Sequence, residues 1–287
     1  MSTTGQTLRT LANARRGVLV PGAFNALSAR VIADLGFEAI YITGAGVTNM
    51  HIGLPDMGFM GLAEIAEQCG RIRDAVEVPL IVDADTGFGN AVNVYHTIRT
   101  LERAGADCVQ LEDQVTPKRC GHFNGKAVIS SAEMVGKIKA AVDARRSADL
   151  LIMARTDARA SDGFDAAVER AQRYAEAGAD ILFVEALESA DEVRRLPQHL
   201  NAPLLMNMVI GGKTPIASTD ELAQFGYGIV LYANAALQGA VAGMQKALSV
   251  LRDQRHLNED PALVAPFKER QRLVGKALID ALEQRYS

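Results

Sequence analysis

Hydrophobic positions along the chain follow two alternating patterns. Short apolar runs rich in β-branched residues occupy residues 17–20, 39–43, 80–83, 108–111, 150–154, 181–184, 204–207 and 228–231. Each is too short for a helix and is bounded by turn-forming or polar residues, as strands are. Between them lie longer stretches with apolar residues at i, i+3 or i+4, among them 91–104, 132–144, 165–177 and 191–200. That spacing predicts amphipathic helices. Gly-Ala-Asp occurs at 105–107 and again at 178–180, each time ending a helical stretch at its glycine and opening a strand. Eight strands, each followed by a helix, within about 250 residues predict an α/β protein with a (β/α)8 barrel rather than an open doubly wound sheet. No Gly-x-Gly-x-x-Gly follows the first strand, which lowers the dinucleotide-fold reading further. No linker splits the chain, so residues 1–287 read as a single barrel domain.

The pattern changes after the eighth strand. Residues 235–252 read as one long helix, 256–266 as a polar, proline-bearing connector, and 267–286 as one further amphipathic helix. The barrel is complete before that last helix. A helix in this position either caps its own barrel or packs on a neighbouring subunit, and the second arrangement predicts an oligomer.

Composition narrows the functional classes. With 287 residues, 48% of them hydrophobic, the chain can bury one large core. Its 30 basic and 34 acidic residues give a net charge of -4. There is no basic footprint for nucleic acid or for an anionic membrane, and neither is an expected partner. Residues 1–16 are polar and arginine-bearing without an apolar signal core, and no window has the length of a membrane span, so a cytoplasmic location is expected. Three cysteines, Cys69, Cys108 and Cys120, are too few for a disulfide framework and lack Cys-x-x-Cys spacing for zinc.

In a barrel of this kind, chemistry sits where the C-terminal ends of the strands meet their loops. Those ends carry Thr43-Gly44-Ala45-Gly46, Asp83 and Asp85, Glu112, Arg155-Thr156-Asp157, Glu185 and Asn207, in strand order from the second to the seventh. A single acidic strand end is ordinarily a solvated charge or a cap. Several on one rim indicate a site. Carboxylates at adjacent strand ends suit a hard cation, Mg2+ with Mn2+ as a substitute, and Arg155 could clamp a carboxylate. The expected partner is therefore a small anionic carboxylate substrate. Cys69 and Cys108 lie inside apolar periodic stretches and read as core thiols. Cys120 instead stands between Lys118, Arg119 and His122 in a glycine-containing loop, the electropositive setting that lowers a thiol pKa, on a segment able to close over a ligand. His51, His96, His199 and His256 show no ligand spacing and read as surface or structural residues, and Arg145-Arg146 and Arg194-Arg195 as solvated helix faces.

Four stretches carry a family resemblance: Asp83-Ala84-Asp85-Thr86-Gly87-Phe88-Gly89, Glu112-Asp113-Gln114, Lys118-Arg119-Cys120-Gly121-His122 and Ala154-Arg155-Thr156-Asp157. They resemble the isocitrate lyase and phosphoenolpyruvate mutase superfamily, over most of the chain. The Lys-Arg-Cys-Gly-His loop is similar to the lyase branch, which includes 2-methylisocitrate lyase and 2,3-dimethylmalate lyase. The resemblance implies a Mg2+-dependent carbon-carbon lyase with Asp85 as the direct metal ligand and Asp56, Asp83 and Glu112 bound through metal waters. It implies substrate contacts from Thr43, Gly44, Ala45, Gly121, Arg155, Glu185 and Asn207, and catalytic roles for Cys120, Lys118, His122 and Glu112. It also implies a homotetramer that exchanges its last helix between subunits.

Two departures bear on the substrate. Residues 232–235 read Tyr-Ala-Asn-Ala, where the methylisocitrate lyase type has Tyr-Pro-Leu-Ser. Residues 207–215 read Asn-Met-Val-Ile-Gly-Gly-Lys-Thr-Pro, closer to the dimethylmalate lyase type. The expected substrate is a small 2-hydroxy di- or tricarboxylate, giving a 2-oxo acid such as pyruvate. The rival readings are an oxaloacetate hydrolase or decarboxylase, a P–C mutase such as a carboxyphosphonoenolpyruvate mutase, and a catalytically silent barrel serving as a binding module.

Overall fold

The eight apolar runs pair into one closed parallel sheet. The computed structural model describes residues 2–119, 121 and 125–287. Its elements run α1 (Thr4–Asn13), β1 (Val18–Ala23), α2 (Ala26–Asp34), β2 (Ile40–Ile42), α3 (Gly44–Ile52), α4 (Leu62–Arg73), β3 (Leu80–Asp83), α5 (Ala91–Arg103), β4 (Cys108–Glu112) and α6 (Ser131–Ala144). They continue with β5 (Leu151–Thr156), α7 (Arg159–Asp162), α8 (Phe164–Glu176), β6 (Ile181–Val184), α9 (Ala190–His199), β7 (Leu204–Asn207), α10 (Thr219–Phe225), β8 (Ile229–Tyr232), α11 (Ala235–Gln254), α12 (Phe267–Leu273) and α13 (Lys276–Tyr286). Each strand is hydrogen-bonded to its sequence neighbours, and β1 closes on β8 with Val18 opposite Ile229. This is the predicted (β/α)8 barrel.

Strand alternation separates two cores. Residues such as Val82, Val109, Leu111 and Ile152 point outward into the layer beneath the helices, while Ile81, Cys108, Met153, Phe183 and Leu231 fill the barrel interior. Leu8, Leu11 and Ala12 of α1 join the interior cluster, so α1 plugs the end of the barrel opposite the strand C-termini. The sequence reading took residues 1–16 only as a polar start. A capping box from Thr3 and Gln6 opens α1, and three apolar side chains suffice to dock it.

The repeated Gly-Ala-Asp has the same job twice. Gly105 and Gly178 end their helices at positive φ, 96° and 107°, which glycine adopts without a Cβ clash. The aspartate that follows then accepts from the backbone N–H of a neighbouring strand. Asp107 takes Leu80 N at 2.8 Å and Asp180 takes Ile152 N at 2.9 Å. Arginines neutralise both carboxylates, Arg73 at Asp107 and Arg9 and Arg145 at Asp180. Arg145 is thus an ion-pair partner at the base of the barrel, which corrects its reading as a solvated helix-face residue. Arg194 and Arg195 are on the surface as expected, the histidines His51, His96, His199 and His256 are exposed, and Cys69 and Cys108 are buried.

The C-terminal region departs from expectation in one respect. Residues 267–286 form two helices, because Gly275 takes a left-handed φ of 73° between α12 and α13. Arg272 ties α12 to α2 through Asp34 at 2.6 Å. Along the 20 residues of α11 only Leu237 and Ala247 are buried. No helix among the described residues is long and apolar enough to cross a membrane.

Candidate active site

The polar strand ends converge on one cleft at the C-terminal mouth of the barrel. Its lining includes Tyr41, Thr43, Ala45, Asp56, Asp83, Glu112, Lys118, Gly121, Arg155, Phe183, Glu185, Asn207 and Asn234. Thr43 is the N-cap of α3, its Oγ1 accepting Gly46 N at 3.2 Å. The α3 N-terminus therefore faces the cleft, where its N–H groups favour negative charge. Gly44 N donates to Asp83 Oδ2 at 3.3 Å. A Cβ on Gly44 would lie 3.1 Å from that oxygen, so a larger residue would push helix and carboxylate apart.

Asp83 is held from below by a relay. Tyr41 OH donates to Gln110 Oε1 at 2.7 Å, and Gln110 Nε2 donates to Asp83 Oδ1 at 3.0 Å. Asp85 follows on a tightly coiled turn, with Asp85 at φ 47°, Gly87 at 85° and Phe88 at 59°. Left-handed φ at non-glycine residues is uncommon and needs surrounding structure to hold it.

Lys118 lies among the carboxylates, 2.6 Å from Asp56 Oδ1 and 2.8 Å from Asp85 Oδ1. Burial alone would pull its ammonium down, but Asp85, Glu112, Asp56 and Asp83 outweigh it and hold the pKa well above the usual lysine range. Burial pushes the Asp85 carboxyl up to about 7 against the pull of Lys118, and Asp83 and Asp56 add to the rise. Burial likewise pushes Glu112 well above the carboxylate range, against Arg155.

Arg155 is fixed on every side. It donates through Nε to Asp157 Oδ2 at 2.9 Å and through Nη2 to Asp157 Oδ1 at 3.0 Å. Glu112 and Glu185 lie 3.3 Å from its Nη1 and Nη2, and the guanidinium carbon sits 5.1 Å from the centre of the Phe183 ring. Asn207 donates to Glu185 Oε2 at 3.2 Å. Arg155 and Glu185 therefore form one buried cluster with Glu112, and the guanidinium is already engaged by three carboxylates rather than open as a free clamp.

The segment after β4 leaves and returns through a closed neck. Gln114 bridges to Val128, Val115 N donates to Ala127 O at 2.8 Å, and Ile129 N donates to Asp113 O at 2.9 Å. The Gln114 side chain clamps Arg119 by two hydrogen bonds, at 2.8 and 3.0 Å. From the far side of the neck, Lys126 Nζ pairs with Asp157 Oδ1 at 2.7 Å and also donates to the Gly121 carbonyl. Gly121 is packed so close that a Cβ would collide with Arg155 and Glu185. Cys120 and His122 lie outside the described residues.

Two structural carboxylates carried no role in the sequence reading. Asp113 is fully buried and accepts from Thr156 Oγ1 at 2.7 Å, Tyr174 OH at 2.7 Å, Arg170 Nη1 at 3.3 Å and Asp157 N at 2.9 Å. Asp157 takes both Arg155 and Lys126. Burial raises the Asp157 carboxyl but Arg155 and Lys126 reverse it, leaving the pKa below the usual value. The signal was present in Glu112-Asp113 and Arg155-Thr156-Asp157: the second acidic residue points to the opposite face of the sheet from the first polar one, or just beyond the strand end, and braces it.

The donor set fits a divalent cation of the Mg2+ kind. Among the described residues, Asp56, Asp83, Asp85, Glu112, Asp157 and Glu185 face Lys118, Arg119, Lys126 and Arg155 around the cleft, a shortfall of two positive charges when every carboxylate is ionised, which the raised Asp85 and Glu112 carboxyls relieve by holding protons. Asp85 Oδ1 and Glu112 Oε1 are buried without a hydrogen bond. Lys118 Nζ lies 2.8 Å from the first as an ion pair. No group of three or more described His, Cys, Asp or Glu residues converges as a direct ligand cage. Mg2+ commonly takes one or two carboxylates and keeps several waters, so the arrangement suits one direct ligand with water-mediated neighbours.

Comparison with known proteins finds relatives over most of the chain. A family model described as phosphoenolpyruvate phosphomutase matches residues 8–252. The 2,3-dimethylmalate lyase of Eubacterium barkeri is 43% identical over 284 residues, covering 99% of this chain and 98% of that one. The 2-methylisocitrate lyase of Aeropyrum pernix is 52% identical over 228 residues, covering 79% of this chain and 73% of the other. A crystal structure of 2,3-dimethylmalate lyase superposes with a TM-score of 0.94 at 34% identity, covering 100% of this chain and 96% of that chain.

Proposed function

The chain belongs to the isocitrate lyase and phosphoenolpyruvate mutase superfamily and is a carbon-carbon lyase; from that premise we propose that it uses Mg2+ to cleave a small 2-hydroxy diacid into a 2-oxo acid and a carboxylic acid. The observation that carries the metal is the two-charge shortfall around buried oxygens of Asp85 and Glu112. A cation entering the cleft would displace the protons held by Asp85 and Glu112 and supply the positive charge that an anionic substrate needs. Asp85 would hold the ion directly, with Asp83, Asp56 and Glu112 reaching its waters. Bound there, Mg2+ would supply the Lewis acidity that lowers the pKa of a substrate hydroxyl.

The chain's own residues would do the rest. The α3 N-terminus at Thr43, Gly44 and Ala45 would receive the carboxylate of the 2-oxo-acid half. Arg155, locked by Asp157, Glu112 and Glu185, would act as a fixed positive wall, with Asn207 orienting Glu185. The hydroxyl proton would pass to a carboxylate lining the cleft, the C2–C3 bond would break as the carbonyl forms, and the electron pair would move to the carbon beside the second carboxylate. Cys120 would give its thiol proton to that carbon, with Lys118 and His122 offsetting the negative charge that develops. Gly121 packs directly on Arg155 and Glu185, and its carbonyl accepts from Lys126, so Gly121 is tied to the substrate-binding cluster.

The substrate side chain is proposed to be alkyl at C3, as in 2,3-dimethylmalate. Phe183, Val209, Leu231 and Ala233 give the cleft an apolar wall, and the relative named for that substrate matches nearly end to end. A panel of diacids assayed for pyruvate and for oxalate, with Mg2+ and with chelator, tests the reading. Mg2+-dependent pyruvate release from a 2-methylmalate alkylated at C3, abolished by chelation and by Asp85→Ala, is expected. Oxalate release from oxaloacetate as the dominant activity would replace the lyase with a hydrolase, and full turnover by Asp85→Ala in chelator would remove the metal.

We also propose that subunits associate as a homotetramer through the C-terminal helices. An apolar groove beside β1 is lined by Leu19, Val31, Leu35, Phe37 and Tyr232. Leu19 is 37% exposed although it sits on a barrel strand, while α11 presents Val241, Met244, Leu248 and Leu251 to solvent. A second copy of this chain has exposed apolar helix faces that would cover the groove.

A further inference from the structure

Lys137 is a buried lysine that the proposed chemistry does not use. It lies on the inner face of α6 with Met134, Ile138, Ala141 and Ala144, and is 3% exposed. An ammonium in such a position is costly without an acceptor. Among the described residues no carboxylate forms an ion pair with it; its Nζ donates to the backbone carbonyl of Thr86 at 3.0 Å. Burial lowers its pKa from the usual lysine value, with Glu133 opposing only in part.

Thr86 belongs to the turn that carries Asp85. The backbone there holds a run of left-handed residues, Asp85, Gly87 and Phe88, followed by Gly89 at φ 145°. Such a run does not persist unless the surrounding structure over-determines it. Three contacts outside the turn's own backbone do so. Glu112 N donates to Asp85 O at 2.9 Å, Thr97 Oγ1 donates to Gly87 O at 3.0 Å, and Lys137 Nζ takes the carbonyl between them. The Thr86 hydroxyl is itself 2.9 Å from Thr116 Oγ1, on the segment that leads to Lys118. Consecutive carbonyls at 85, 86 and 87 are thus each pinned by a different element, β4, α6 and α5. The middle one uses the only charged donor of the three.

We propose that Lys137 is a positioning residue for the cation site: by holding the Thr86 carbonyl, it fixes the Thr86–Gly87 peptide plane and with it the turn that aims the Asp85 carboxylate into the cleft. This rests on the reading of Asp85 as a metal ligand. Groups that orient a metal ligand typically change affinity by about 10- to 100-fold when removed. A lysine suits the place because its long stem packs with the apolar face of α6 while its charged tip reaches the turn.

The test uses the full chain and Mn2+ as probe, with binding read by electron paramagnetic resonance in the absence of substrate. Lys137→Met keeps the apolar stem and the helix propensity and removes the donor. Lys137→Gln keeps a polar amide one atom short, and serves if the methionine variant does not fold. Ile138→Ala loosens the same helix without touching the turn. Both Lys137 variants are expected to bind Mn2+ about 10- to 100-fold more weakly, with faster amide exchange at residues 85–89, and to regain most of kcat at saturating metal. Ile138→Ala is expected to lose stability while keeping Mn2+ affinity. Parent-like affinity in the Lys137 variants, or an equal loss in Ile138→Ala, would overturn the positioning role and leave the metal reading intact. A parent that binds no Mn2+ would overturn both.

Discussion

Asp113→Asn separates bracing of the active site from general stability. The substitution preserves shape and removes one acceptor. Asp113 Oδ2 takes Thr156 Oγ1, Tyr174 OH and Arg170 Nη1, while Oδ1 takes the backbone N–H of Asp157. With its oxygen at the Oδ2 position, asparagine keeps the first three and turns its NH2 toward Asp157 N, donor against donor. Flipped, it orphans the other donors instead. One buried donor left unpaired costs about 1–3 kcal/mol, and the contact to Arg170 loses its charge assistance, roughly a further 1 kcal/mol. Part of this is offset, because burial raises the Asp113 carboxyl pKa and a neutral side chain no longer bears that strain. The net expectation is a loss of about 2–3 kcal/mol, or a Tm lower by roughly 5–10 °C. The orphaned N–H belongs to Asp157, which holds Arg155 by two hydrogen bonds, so kcat/KM for the best diacid should also fall, by roughly 10- to 100-fold. Tyr174→Phe supplies the contrast: it removes one of the four bonds and leaves Asp157 N paired, costing about 1 kcal/mol with kcat/KM near the parent's. Urea unfolding and pyruvate release measured on both variants decide the matter. Parent-like kcat/KM in Asp113→Asn, or equal losses of activity in the two variants, would refute the claim that Asp113 aligns Arg155 through Asp157.

Cys120→Ser replaces a thiol of ordinary pKa about 8.5 with a far weaker acid, and kcat should fall by about 10²- to 10⁴-fold while 2-oxo-acid product still binds. Turnover equal to the parent's would remove the thiol from the mechanism. Glu192 accepts from Arg159 at 2.8 and 3.0 Å; burial raises its pKa, but Arg159 and the Glu188 N–H reverse this and leave it below the usual 4.5. A depressed folded-state pKa contributes stability above the unfolded value that is lost as pH falls through the folded one. The urea-stability gap between parent and Glu192→Gln should thus be about 1 kcal/mol at neutral pH and shrink below about pH 4.5; a gap that widened in acid would contradict the ion pair. Deleting residues 267–287 should lower the molar mass by light scattering, and a truncated protein with the parent's assembly state would count against association through the C-terminal helices.

Fold and site were legible to different depths, for a physical reason. Strands β3, β6 and β7 coincide with their apolar runs, and Gly105 and Gly178 end helices where expected, because hydrophobic periodicity and glycine conformation act within a few residues. The cluster Asp83, Asp85, Glu112, Arg155, Glu185 and Asn207 was likewise readable once a barrel was expected, since that fold gathers strand C-termini at one mouth, whereas Asp56, between α3 and α4, followed only from the family resemblance. Three things were not: that α1 plugs the barrel, that Arg155 is already occupied by Asp157, Glu112 and Glu185, and that Lys118 pairs with Asp56 and Asp85. Each depends on which side chains meet across long sequence separations. Lys126 reaches Asp157 across 31 residues, and Lys137 reaches Thr86 across 51. In the sequence, Lys137 is one more lysine on a helix. Only the packing of α6 against the barrel buries it and leaves its ammonium a single carbonyl to hold.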